Sequence, residues 1–147
     1  CYALDIPLIS VPTLQAMAYG LSKESNYSND TLYCPMIDAR RMEVYSAFFN
    51  SKNEFVRETQ ADIIDESSYL NYLSDSKIVF FGDGSAKCKE IFSSNSNALF
   101  IDDFHPSSQY LSLIAIVKFN AQQLEDTAYF EPYYLKDFVA GKPKKLI

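Results

Sequence analysis

The spacing of apolar and polar residues changes along the chain and divides it into two halves. Pro12 and Thr13 are predicted to cap a helix of about 12 residues, whose apolar positions 14, 17, 18 and 21 have helical spacing, so that one stripe packs inward. The polar segment 22–30 is predicted to be a loop. Strand-like runs follow at 32–38, 42–50 and 54–59, and the links between them have the length of turns. Because short links favour antiparallel pairing of neighbouring strands, this half is predicted to form a three-stranded meander.

The second half alternates between helices and strands. Residues 77–81 and 98–102 form dense apolar runs, which are typical of strands that are covered on both faces. Short helices are predicted before and after the first of these runs, and a long helix begins near residue 107. That helix is apolar around most of its circumference from 111 to 119, so we expect it to be heavily buried.

This order of elements predicts the fold class. Three antiparallel strands followed by helix, strand, helix, strand and helix fit a mixed α/β sheet with helices on its faces. It is the ribonuclease H-like arrangement, which also builds each lobe of the actin-like ATPases, and which alone does not fix a function. The aromatic segment 129–138 is predicted to fold back onto the domain, and residues 8–11 are predicted to form a further strand.

Composition narrows the class of protein. A length of 147 residues predicts a single domain. The net charge of −6 argues against capture of nucleic acid by overall charge, although a local basic patch is compatible with it. Three cysteines without a Cys-x-x-Cys pair are a poor basis for zinc binding or a disulfide framework, and they favour a reducing, cytoplasmic environment. No apolar run reaches the length of a membrane span.

Two acidic residues are candidates for a metal site. Asp38 ends the first strand of the meander and Asp83 follows the fourth strand, which are the positions where ribonuclease H-like nucleases hold two divalent metals. Glu66 and Glu125 are candidate partners. The alternative is that Asp38 belongs to a hairpin turn, where aspartate accepts hydrogen bonds from nearby backbone N–H groups. We favour the turn, because the two arginines that follow would neutralise Asp38 and compete with a metal.

The segment GDGS, made of Gly82, Asp83, Gly84 and Ser85, is a candidate nucleotide site. A buried strand that ends in such a turn and opens a helix places backbone N–H groups where an anion could bind. Glycine also permits a tight turn and close packing, and the segment lacks the longer fingerprint of a phosphate loop. Since Asp83 would also repel phosphate, we favour a structural role.

Four basic residues are candidate contacts with a partner protein or with RNA. Arg40 and Arg41 lie at the predicted hairpin tip, and Lys144 and Lys145 lie in the basic tail. A solvated charged surface is the commoner explanation for so few charges.

Three segments carry a resemblance to a known family. Residues 3–18 (ALDIPLISVPTLQAMA), 35–49 (PMIDARRMEVYSAFF) and 129–145 (YFEPYYLKDFVAGKPKK) resemble the TsaB (YeaZ) family of bacterial tRNA threonylcarbamoyladenosine biosynthesis proteins. These are glycoprotease-like members of the actin-like ATPase superfamily. The resemblance runs over nearly the whole chain, while residues 60–110 are generic.

The resemblance implies a role in forming threonylcarbamoyladenosine (t6A37) in tRNA. In that family the transfer step belongs to the paralogue TsaD, which carries the metal and nucleotide site. TsaB is the obligate partner of TsaD, and TsaE is a third, ATPase component. The resemblance therefore implies a non-catalytic subunit without a cofactor of its own, despite the older glycoprotease name.

The resemblance also implies a degenerate site and a missing lobe. A phosphate-binding strand of this superfamily needs Asp-x-Gly, but Asp38 is followed by Ala39 and Arg40, and GDGS is a degenerate form of the adenosine motif. Residues 1–147 would be the C-terminal lobe of a two-lobe protein, whose N-terminal lobe contacts TsaD and a second TsaB. The rival functions are a metal-dependent nuclease and an ATP-binding lobe with its own activity.

Overall fold

The computed structural model describes residues 1–136 and contains one five-stranded sheet in that range. Its strands are β1 (Leu32–Asp38), β2 (Glu43–Phe49), β3 (Phe55–Ile63), β4 (Ile78–Phe81) and β5 (Ala98–Ile101). Its helices are α1 (Thr13–Glu24), α2 (Leu70–Leu73), α3 (Lys89–Phe92) and α4 (Gln109–Asn120), and a 3-10 turn over Ala86–Cys88 precedes α3. Within these residues, none of the helices has the length and apolarity needed to cross a bilayer.

The sheet has the order β3-β2-β1-β4-β5. The first three strands pair antiparallel, with Met36 opposite Ser46 and Tyr45 opposite Ala61. Strand β4 pairs parallel with both β1 and β5. The predicted meander and the predicted mixed sheet are both confirmed.

Two irregularities interrupt the pairing of β2 with β3. The register shifts between Ser46 and Phe48 and again between Phe48 and Phe49, so that Phe48 faces Arg57 and Phe49 faces Phe55. Each bulge adds a residue to one strand and redirects the side chains beside it. Arg57 therefore points to one face of the sheet, where it lies over the Phe48 ring, while Phe55 packs on the other face.

The two faces of the sheet have separate cores. One lies under α2 and α3 and is rich in stacked aromatic rings; its largest members include Phe48, Tyr69, Phe80 and Phe92. The other lies under α1 and includes Met17, Tyr33, Phe49 and Phe81. The short run of β4 contributes to both cores and is buried throughout, as its dense apolar sequence predicted.

Helix α4 differs from the prediction of heavy burial. Ile114 is its only buried residue, and Leu113, Ile116 and Val117 are more than half exposed. The helix packs on α1, where a Cβ atom at Gly20 would lie 2.6 Å from the ring of Tyr110. The prediction was wrong because an apolar circumference does not say which side of a helix its own domain covers.

The chain before α1 and after α4 runs side by side. Leu8 forms a single antiparallel bridge with Glu125, and its carbonyl oxygen accepts a hydrogen bond from the Glu125 N–H at 2.9 Å. The predicted strand over 8–11 is reduced to this bridge. Residues 130–136 line a cleft together with β2 and β3, so the described part of the predicted segment 129–138 lies against the domain. Its aromatic side chains are not buried as expected, since Tyr129, Tyr133 and Tyr134 remain about 80% exposed. Residues 137 and 138 lie outside the described residues.

Candidate functional site

The hairpin between β1 and β2 has an unusual tip. The Ala39 N–H donates to the Glu43 carbonyl oxygen, and the Glu43 N–H donates to the Arg40 carbonyl oxygen, both at 3.1 Å. Arg40 and Arg41 have φ angles of 71° and 50°, a left-handed conformation that costs a residue other than glycine on the order of 1 kcal/mol. Both side chains are exposed and form no ion pair within residues 1–136.

Asp38 is held by a lysine from far along the chain. Its carboxylate forms an ion pair with Lys87 and accepts a hydrogen bond from the Arg40 N–H at 3.2 Å. The Lys87 ammonium group also donates a hydrogen bond to the Glu43 carbonyl oxygen at 2.6 Å. The hydrogen bond from Lys87 lowers the pKa of Asp38, so the carboxylate stays ionised. The expected neutralisation by the two arginines is therefore replaced by pairing with Lys87.

The GDGS turn packs directly against the end of β1. Gly82 has a φ of 96°, and a Cβ atom there would lie 2.4 Å from the Met36 carbonyl oxygen. A Cβ atom at Gly84 would lie 2.9 Å from the carbonyl carbon of Ile37. Both glycines are thus required by close backbone approach, which agrees with the structural interpretation of this segment.

Polar groups of the same turn are already hydrogen-bonded within the chain. The Gly84 N–H donates to the Met36 carbonyl oxygen, and the Ser85 N–H donates to the Gly82 carbonyl oxygen, each at 3.1 Å. The Asp83 carboxylate accepts the backbone N–H of Asp38 at 3.1 Å. These groups therefore stitch β4 to β1 and do not form an open anion cradle.

The candidate metal ligands come together only in part. Asp38 and Asp83 are neighbours, as their topology predicted. Glu66 lies in the turn before α2, and Glu125 lies after α4, where it accepts a hydrogen bond from Ser10. In the part of the chain that the structure describes, no three His, Cys, Asp or Glu side chains are placed to hold a metal ion.

A buried polar network on the α2 face was not identified from the sequence. Asp62 accepts hydrogen bonds from Ser46 at 2.6 Å, from Tyr69 at 2.8 Å and from Arg57 at 3.0 Å. The Arg57 guanidinium also lies over the rings of Phe48 and Tyr69. Every charge in the network has a partner, which is the condition for burying charge in an aromatic core.

The pKa shifts keep Asp62 ionised and keep Tyr69 and the nearby Cys34 thiol protonated. Burial alone would raise the pKa of Asp62, but the hydrogen bonds from Arg57, Ser46 and Tyr69 outweigh it and lower the pKa. Burial raises the pKa of Tyr69 and of the neighbouring Cys34 thiol, and it raises the pKa of Cys88 to about 11. Both thiols are buried and protonated, so they are poor nucleophiles and belong to the core as structural residues.

An open cleft of about 730 Å3 lies on the opposite face of the sheet. We call it the β3 cleft; its walls are residues 10–14, the β2 and β3 strands, and residues 130–136. Tyr45, Phe55 and Tyr133 supply aromatic rings, while Glu58 and Glu131 supply carboxylates. The cleft could not be predicted from the sequence, because it forms only where residues 130–136 cross a bulged strand.

The remaining basic candidates, Lys144 and Lys145, lie outside the described residues.

Comparison with known proteins places this geometry in a family. The chain matches the family described as TsaD, tRNA N6-adenosine threonylcarbamoyltransferase, over residues 1–143. No curated protein sequence matches it. Its fold is similar to that of an uncharacterised solved protein described as similar to the peptidase YeaZ from Pseudomonas aeruginosa, with a TM-score of 0.69 and 18% sequence identity.

The alignment with that solved structure covers 92% of this chain, which spans 62% of the other chain's length. The likeness confirms the ribonuclease H-like and actin-like fold class predicted from the order of elements. With the family match over nearly all of its residues, the chain belongs to the TsaD family and has the fold of a YeaZ-like protein.

Proposed function

We propose that this chain is part of a non-catalytic subunit in t6A37 formation on tRNA, where it supports a TsaD transferase. The family match supports a role in this modification. The observation that carries the non-catalytic assignment is the end of β1. There, Asp38 is paired with Lys87, and the Asp38 N–H is bound by Asp83.

A catalytic phosphate site would need these same groups for its ligand. Donors that are already satisfied at short range bind a phosphate only after their internal bonds break, and each such bond contributes about 1 kcal/mol. The β3 cleft does not include the GDGS turn among its walls. The geometry therefore supports a scaffold role over nucleotide turnover.

The assignment is tested with the parent protein, TsaD, TsaE, tRNA, ATP and the threonylcarbamoyl donor. We expect t6A37 to form only when the parent protein is present, and the variants Asp38→Asn and Asp83→Asn to retain most of that activity. Loss of at least a hundredfold in both variants, with their folding intact, would show that the site is catalytic.

We also propose that another part of the parent protein covers the outer face of α4. Leu113, Ile116 and Val117 form an apolar stripe there, and each is more than half exposed. An apolar surface of this kind usually marks an interface. Ile116→Asp should lower the free energy of unfolding of the parent but not that of the 147-residue chain; equal effects in both would contradict this two-lobe arrangement.

The arginine tip is a proposed contact with TsaD or tRNA. Arg40 and Arg41 are exposed, unpaired within the described range, and held in a costly backbone conformation. Strain of this kind is often retained where function requires it. Arg40→Glu with Arg41→Glu should weaken complex formation in the full protein, whereas unchanged modification activity would remove the arginines from the interface.

A further inference from the structure

The β3 cleft is shaped by the two bulges in the β2–β3 pairing. In a regular strand, alternate residues share a face, so Phe55, Arg57 and Thr59 would point the same way. Here Arg57 enters the opposite core, while Phe55, Glu58 and Thr59 all line the cleft. Bulges that redirect side chains are common beside binding sites.

The cleft carries negative charge that the described chain does not neutralise. The ion pairs within residues 1–136 join Arg57 to Asp62, Lys87 to Asp38, Lys89 to Asp102 and Lys136 to Glu43. Glu58 and Glu131 therefore have no cationic partner in this range. Two carboxylates beside a largely apolar wall favour a cation and disfavour a phosphate backbone.

Aromatic rings in the same cleft add a second preference for cations. The Lys136 ammonium group already lies 5.9 Å from the centre of the Tyr45 ring. Phe55, Tyr133 and Tyr134 provide further rings, and the two tyrosines are largely exposed. A cation over an aromatic face gains about 0.5–2 kcal/mol, depending on how far it is desolvated.

The start of α1 offers hydrogen-bond donors to the same space. Pro12 occupies the N-cap position without a side-chain cap, and Thr13 and Leu14 line the cleft. First-turn N–H groups have no partner within the helix, so a peptide carbonyl oxygen can accept from them. The cleft volume also falls within the range of about 300–1,000 Å3 that is usual for ligand sites.

We propose that the β3 cleft binds a peptide segment of a partner protein that carries one basic side chain between apolar residues. The basic group lies between Glu58 and Glu131, and its apolar neighbours contact the aromatic wall. This inference is independent of the tRNA role, because it concerns peptide binding by the isolated chain.

The test uses the 147-residue chain and two labelled peptides, acetyl-Val-Arg-Val-amide and its citrulline analogue, which has nearly the same shape but no charge. Fluorescence anisotropy should show that the arginine peptide binds about tenfold more tightly, equivalent to about 1.4 kcal/mol. In the double variant Glu58→Gln/Glu131→Gln this ratio should fall to within about twofold, since the charge preference is gone.

Glu66→Gln is the matched control, because Glu66 is exposed and lies outside the cleft. It should leave the ratio unchanged, while Lys136→Met should tighten arginine-peptide binding by removing the competing cation and releasing Glu43. Equal binding of the two peptides, no binding of either, or displacement of the peptide by an oligouridine RNA would each overturn the inference.

Discussion

On the α2 face of the sheet, Arg57, Asp62, Ser46 and Tyr69 satisfy one another beneath an aromatic core. On the α1 face, the β3 cleft leaves carboxylates without cations among the described residues, and α4 leaves an apolar stripe uncovered. The charged groups on the α2 face therefore have partners within the chain, and we call this the matched face. On the α1 face, charged and apolar groups lack such partners among the described residues. Partners are therefore expected on the α1 and α4 side, and the comparison can be tested residue by residue.

The largest expected effect is on the matched face. Arg57→Met leaves Asp62 without its cation in a half-buried site, which should lower the free energy of unfolding by about 3 kcal/mol. Urea denaturation monitored by circular dichroism measures it. Arg41→Met, at an exposed position, is the control and should change stability by no more than about 0.5 kcal/mol. If both variants lost a similar free energy of unfolding, the network would contribute no more to stability than an exposed residue does.

The contact between α1 and α4 should give the next largest effect. Gly20→Ala places a methyl group against the Tyr110 ring, and such overpacking should cost about 1–2 kcal/mol despite the better helix propensity of alanine. In a Tyr110→Ala background the same change should be neutral or stabilising by up to about 1 kcal/mol. A destabilising effect that persists without the ring would place the strain elsewhere.

Acid should weaken the matched face through Asp62. Its pKa is lower in the folded chain than in the unfolded chain, so its ionised form stabilises the fold above the unfolded pKa near 4. That contribution is lost as the pH falls through the lower, folded pKa. Urea titrations between about pH 6 and pH 3 should therefore show a steeper loss for the natural chain than for Asp62→Asn. Parallel curves would assign the acid sensitivity to other carboxylates.

The smallest effect is expected at the end of β1. Lys87→Met removes the cation beside Asp38, an exposed pair, so stability should hardly change. The pKa of Asp38 should rise towards its usual value, because the hydrogen bond from Lys87 is the main cause of its lowering. Carboxyl-carbon NMR titration measures this shift; an unchanged pKa would mean that the backbone N–H of Arg40 suffices.

Much of the sheet could be predicted from local pattern. Alternating and dense apolar runs indicated all five strands, since strand burial follows the immediate sequence. The bulges in β3 could not be predicted, and they decide which side chains of that strand share a face. Arg57 and Asp62 are five residues apart, which in a regular strand puts them on opposite faces, so their contact depends on the register shift. The mostly polar sequence of β3 is also typical of a solvent-facing strand, so nothing in it indicated that Arg57 and Asp62 are partly buried.

The nearness of Asp38 and Asp83 could be predicted from the strand order, but the residue that pairs with Asp38 could not. Asp38 and Asp83 meet because parallel strands β1 and β4 end at the same edge. The pairing of Asp38 with Lys87 spans 49 residues, and only the folded chain brings the two together. Nearness in sequence favoured the arginines, which the left-handed tip places in solvent.

Strand β3 has one further consequence, at its outer edge. It is nine residues long and terminates the sheet in the described part of the chain, so its free N–H and C=O groups could template the growth of fibrils. Straight, uncharged edges are the dangerous ones. The bulges beside Arg57 and the exposed acidic side chain of Glu58 make this edge a poor template. Concentrated samples should therefore resist amyloid-type assembly although the β3 edge is unpaired in the described part of the chain.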